Sequence, residues 1–340
     1  MDSNENKEQI QELLKVAQMG VKDIYDNDKF REYLLQLADL HNYSYRNNIL
    51  IMRQYPGATY VAGKSTWKNK FDRYVRRGEN GIRIIGFGSE DVTKKTVKKD
   101  TIGKTMYGSD GKPITVDVIC KVPYFIPVYV YDISQTIGTK MPKLVNELSG
   151  DVAEYNILID ALRGVSPYDV VFTDGRGEAK SYCDHNNRRV IIKGDMSKVQ
   201  TIKTLINEIP NMKDIHALEA GIMKYGNDDR KTNEIEAKSK AFVICAHYGL
   251  GLSDYMFDDI NSWSRQKGLK ELTGTLERIQ KHTSYLINHI ENSYKTIKEH
   301  GISSRHNMSM GERVKEAKEK ANAQNNTVNT KSKNEKSREV

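Results

Sequence analysis

The sequence predicts an α+β protein built from two domains in tandem and closed by a disordered basic tail. Three observations lead there. Helical and strand-like patterns form two separate blocks, divided by a stretch around residues 133–142. The length of 340 residues suits two domains of ordinary size. Residues 301–340 contain no Trp, Tyr, Phe or Leu, so they cannot bury enough apolar surface to offset the entropy of ordering. The expected boundaries are 1–135, 142–298 and 300–340.

Residues 5–41 read as two helices, with apolar residues three and four apart in EQIQELLKVAQMGV and FREYLLQLADLH. Ser44 is placed to cap a short helix that stops before Pro56-Gly57. TYVAG reads as a strand and KSTWKNKF as a helical turn. RYVRRGENGIRIIGF reads as a hairpin, Tyr74-Val75 returning through a Gly78–Gly81 turn into the strand 82–87. Residues 89–116 are polar and Lys-rich, which suggests an extended excursion between strands. VDVICKVPYFIPVYVYDI is a long β run, bent or at an edge because of Pro123 and Pro127.

The second block opens with a helix over 143–165. Three short strands follow, YDVVFTD, AKSYCD and RRVIIKG. Two helices are expected at 198–224 and 231–249, the first capped by Ser197 with Gln200 in an S-x-x-Q box. A long amphipathic helix over 267–298 ends the folded part.

Composition narrows the function classes. No run of 18 apolar residues exists, so no transmembrane helix is expected. The polar start MDSNENKEQIQ lacks the apolar core of a signal peptide. Three scattered cysteines, Cys120, Cys183 and Cys245, fit a reducing cytoplasm better than a disulfide framework. The net charge of +8 is unevenly spread. Between Arg46 and Lys104 there are 14 Lys and Arg against 5 Asp and Glu, a surplus of +9, so the rest of the chain nets −1. A basic segment of this kind points to a polyanion, or else is a solvated face without a partner.

The segment also interleaves cations with aromatics, which is what single-stranded nucleic acid requires: charges that track phosphates and flat rings on which bases stack. The candidate binding residues are Tyr45, Arg46, Arg53, Trp67, Lys68, Lys70, Arg73, Arg76 and Arg77. No helix here carries the run of polar side chains that a major-groove reader needs, so single strands are preferred to duplex. Trp67 and Phe71, four apart, fit a small domain's core as well as they fit stacking.

The stretch NYSYRNNILIMRQYPGATYVAGKSTWKN…VRRGENGIRIIGF resembles the N-terminal domain of ArdC-like antirestriction proteins and their LtrC-like relatives on plasmids and conjugative elements. Asn42, Ser44, Arg46, Asn47, Pro56, Trp67, Gly78, Glu79, Gly81 and Ile82 stand in matching places. The resemblance implies a single-stranded DNA-binding domain followed by a zincin-like metallopeptidase domain, and it extends over about residues 27–265.

In that second domain, the expected H-E-x-x-H reads Asn207-Glu208-Ile209-Pro210-Asn211. The resemblance implies that Asn207, Asn211 and Glu236 occupy metal-ligand positions and Glu208 that of the general base. Asn offers zinc a neutral carbonyl oxygen where imidazole or thiolate is preferred. Pro210 in mid-helix removes a backbone bond at a cost of ~3 kcal/mol. His216 is a displaced-ligand candidate or a surface or core residue. The expectation is therefore a cytoplasmic single-stranded DNA-binding accessory protein without a cofactor, where intact family members hold zinc. Its partners are single-stranded DNA and, where the second domain docks a protein, a host or element-encoded one; no membrane is involved. Two alternatives stay open: a metallopeptidase with an atypical metal site, and a protein-interaction module.

Overall fold

The computed structural model describes residues 3–25, 27–141, 152–174, 179–209 and 230–300. The expected tail, Pro210, Asn211, His216 and the first turns of the 143–165 helix lie outside the described residues. The fold is α+β. Its contacts divide the chain into residues 1–20 with 46–139, and residues 21–45 with 140–340. Residues 21–45, placed with the first domain from sequence, thus belong to the second unit: Tyr25 donates to the Leu272 carbonyl at 2.7 Å, and Phe30 meets Phe257 edge-on.

The first unit contains most of α1 (Ser3–Ile24), then α3 (Tyr45–Gln54), β1 (Val61–Gly63), α4 (Lys64–Phe71), β2 (Arg73–Val75), β3 (Ile82–Val97), β4 (Thr115–Asp132) and β5 (Thr136–Gly138). Helix α1 buries Ile10, Leu13 and Ala17, the three-and-four spacing seen in the sequence. Two sheets form here, one in the order β1-β4-β3 and one pairing β2 with β5. The hairpin expected between Tyr74-Val75 and 82–87 is not made. β2 pairs with β5, while β3 pairs antiparallel with β4 from Ile82↔Val130 to Val97↔Thr115. The local turn signal at Gly78–Gly81 was real, but the long β4 run offers β3 far more partners than a three-residue strand can. Nor are residues 89–116 an excursion off the sheet. Residues 89–97 continue β3, and only the tip of this long β-arm is irregular. Register runs unbroken through Pro123 and Pro127, as an open strand edge allows.

Backbone geometry requires glycine at two motif positions. Gly78 has φ +87°, a conformation that favours glycine, and a Cβ on Gly81 would lie 2.9 Å from the Tyr129 ring.

The second unit contains α2 (Asn27–Asp39), α5 (Val152–Val165), β6 (Asp169–Thr173), β7 (Ser181–Asp184), β8 (Arg189–Lys193), α6 (Lys198–Glu208), α7 (Arg230–His247), α8 (Ile260–Ser264) and α9 (Leu269–His300). β8 is central, parallel to β6 and antiparallel to β7. The Ser197 hydroxyl accepts from the Gln200 N–H and starts α6, whose Ile202, Leu205 and Ile206 are buried. α7 and α9 pack along one another. Among the described residues no helix is long and apolar enough to cross a membrane.

Candidate nucleic-acid interface

Directly opposite residues of an antiparallel ladder share a face. On one face of the β-arm, Phe87 stands opposite Phe125, and Arg83 stands opposite Tyr129. The two Phe rings lie 5.1 Å apart between centroids, yet are 75% and 52% exposed, and Tyr129 is 56% exposed. Lys121 follows on the same face, also exposed. Arg83 is paired with Glu12 at 2.9 Å, so the exposed rings beside Lys121 make this face the candidate binding surface. Tyr74 on β2 is exposed as well.

The residues named from sequence divide sharply. Trp67 is 0% exposed, donates from Nε1 to the Tyr131 carbonyl at 2.9 Å, and packs against Tyr60 and Phe71. Tyr45 is 3% exposed. Neither ring presents a face to a base, so both are corrected to core residues. Arg73 is corrected too. Its guanidinium donates to Thr136 Oγ1 and to the carbonyls of Thr136, Gly138 and Thr139, so it holds β2 to β5. Arg76 pairs with Glu79 at 2.6 Å, and with Gln135 it holds that carboxyl below the usual carboxylate range. Arg46, Arg53, Lys68, Lys70 and Arg77 are exposed, where cations can meet phosphates.

The motif residues mostly shape the frame. Asn47 donates to the Ile85 carbonyl and accepts from the Ile85 N–H, at 2.9 and 3.0 Å. Gln54 does the same for Arg83. Two helix amides thereby stand in for a strand along the outer edge of β3. Glu79, Asn80, Tyr55 and Gln135 line a polar cleft of about 500 Å³.

In the second unit the three described metallopeptidase-like positions, Asn207, Glu208 and Glu236, are committed elsewhere. Asn207 Oδ1 accepts from the Tyr255 hydroxyl at 2.7 Å. Glu208 accepts from the Ser181 hydroxyl at 2.6 Å. Beside it, burial and then the Glu208 charge push the Cys183 thiol up to about 11. Glu236, 5% exposed, receives the Arg278 guanidinium, with Nε at 2.8 Å and Nη2 at 2.6 Å. Among the described residues no group of three or more His, Cys, Asp or Glu is arranged to hold a metal ion. The residues described do not fit zinc: an amide stands in for an imidazole, and a cation already neutralises the buried carboxylate.

Two crystal structures are similar to this chain, both of the antirestriction protein ArdC from the R388 plasmid. The chain is similar to ArdC. The metal-free structure is 17% identical, with a TM-score of 0.40, covering 73% of this chain and 85% of that one. The Mn(II)-bound structure is 15% identical, with a TM-score of 0.41, covering 73% and 84%. The uncharacterized protein pXO2-81 of Bacillus anthracis is 22% identical over 314 residues, which cover 84% of this chain and 52% of the relative. The chain thus spans about half the length of that curated relative. No family model matches the chain.

Sequence reasoning missed Phe125 and Tyr129 because β4 is apolar at consecutive positions, which hides which face stays uncovered. It missed Arg278 because nothing local links it to a carboxylate 42 positions earlier.

Proposed function

We propose that this chain binds single-stranded DNA through its first unit, as an antirestriction-type accessory protein of a plasmid or conjugative element. The observation that carries the reading is the exposed Phe87–Phe125 pair, flanked by Tyr129 and Lys121 on one face of the β-arm. Stacking on such rings contributes roughly 1–3 kcal/mol per base and tolerates any sequence. The surplus of +9 between Arg46 and Lys104 supplies phosphate contacts. The antirestriction role rests on the motif resemblance from Asn42 to Ile82.

The second unit is proposed as a metallopeptidase-like frame without metal chemistry. The Arg278–Glu236 pair supports this, because the carboxylate that resemblance assigns to a metal already has its counter-charge. Binding of labelled oligonucleotides to the full chain across a salt series tests the first part. Metal analysis of the purified chain tests the second: far less than one zinc per chain is expected, and stoichiometric zinc would contradict it.

A further inference from the structure

The outer edge of β3 is open over most of its length. The side-chain amides of Asn47 and Gln54 bond the backbone of Ile85 and Arg83. The outward-facing N–H and C=O groups of β3 are therefore those of the odd-numbered residues, and in an unbroken register this continues through residue 97. Among the described residues, no hydrogen bond reaches the outward groups of 87, 89, 91, 93, 95 and 97. An exposed edge of this length is a template for another strand. A two-stranded ribbon with apolar residues exposed on both faces is also marginal in water alone. Here Phe87, Ile119 and Phe125 are exposed on one face, and Val116, Val118 and Tyr124 on the other.

Charge order selects the partner. Charged side chains, especially Lys, defend an edge against pairing, and they repel a second copy when like charges fall opposite one another. This one reads Glu90-Asp91-Val92-Thr93-Lys94-Lys95, two acids then two bases about a centre. Laid antiparallel against itself about Val92, it places Glu90 opposite Lys94 of the second copy, and Asp91 diagonal to Lys95. The same register sets Val92 against Val92 and Phe87 against Val97, apolar on apolar. It also satisfies every outward group from 87 to 97, since 91 meets 93, 89 meets 95 and 87 meets 97.

We propose that two copies of this chain pair antiparallel through the β3 edges about Val92, joining two β-arms into a four-stranded sheet. The proposal does not rest on DNA binding, although it places Phe87 beside Val97 of the second copy.

Light scattering on the full chain across a concentration series tests it. The expected mass rises to twice 38.9 kDa. Glu90→Lys with Asp91→Lys, and separately Lys94→Glu with Lys95→Glu, each set like charges against like and stay monomeric. Mixing those two variants restores the double mass, which a misfolded arm could not do. A wild-type chain monomeric throughout overturns the proposal, as does a dimer unaffected by either reversal. Register is read by mild oxidation of Val92→Cys in a Cys120→Ala background, because Cys120 faces Val92 within the arm. Val92→Cys cross-links two chains, since opposed Cα atoms lie about 4.5–5.5 Å apart. Thr96→Cys, roughly 25 Å from its own copy in this register, does not. Equal cross-linking by both, or by Cys120→Ala alone, contradicts the pairing.

Discussion

Arg278 reaches Glu236 with two nitrogens, Nε at 2.8 Å and Nη2 at 2.6 Å, both directed at the same carboxylate oxygen. The pair ties α9 to α7 inside the second unit. A buried carboxylate with its counter-charge removed is left uncompensated, which costs about 3–5 kcal/mol. Arg278→Met is therefore expected to lower stability by that amount in denaturant unfolding. Replacing both partners, Glu236→Met with Arg278→Met, recovers most of the loss, because neither charge is then stranded.

Acid should weaken the second unit through His282. Burial, and next the Lys240 charge, push its imidazole down to about 3 from the ordinary 6.5. The unfolded chain takes up a proton near 6.5 that the folded chain refuses until about 3. Stability is thus full above the upper value and falls with pH through that window, by a few kcal/mol at about 1.4 kcal/mol per unit. Glu236, Arg278 and Lys281 also act on this ring. His282→Gln should flatten unfolding free energy measured from pH 7 to pH 4; an unchanged slope there would rule His282 out as the source.

Trp67 and Phe87 are expected to part ways. Trp67→Ala empties a fully buried site and costs about 3–5 kcal/mol, read by thermal unfolding of the first unit. Phe87→Ala removes an exposed ring with its cross-strand contact to Phe125 and lowers stability by no more than about 1 kcal/mol.

This contrast shows how much was legible in the sequence. The helices of both units were readable because their apolar residues recur at one period. Strands β6, β7 and β8 were readable as short β-rich runs between turn residues. What failed were decisions that depend on distant partners. Trp67 looks the same in sequence whether its ring faces solvent or Tyr60, and Arg73 looks like a phosphate ligand until Thr136 and Thr139 close around it. Of the metallopeptidase-like positions, the loss of imidazole at 207 was plain from sequence, but the cation on Glu236 was not. The β2 pairing was missed because β5 lies some sixty residues further on, beyond any local turn signal.

The surface cations separate from the structural ones by salt dependence. Lys68→Ala with Lys70→Ala should lower the slope of log affinity against log salt by about 1.4, if each contacts one phosphate of a single strand. Arg73→Ala should leave the slope alone and cost about 1–3 kcal/mol of stability, because its donors serve backbone carbonyls.

The most direct measurement is a fluorescence-anisotropy titration of the full chain with single-stranded and blunt duplex oligonucleotides of equal length, run beside Phe87→Ala with Phe125→Ala. Single strands are expected to bind more tightly than duplex, with little sequence preference and affinity falling as salt rises. The double variant, still folded by circular dichroism, is expected to lose roughly 2–6 kcal/mol of single-strand affinity, 1–3 for each stacked base, while its salt slope is kept. Equal or tighter binding to duplex, or full single-strand affinity without the two rings, would contradict it.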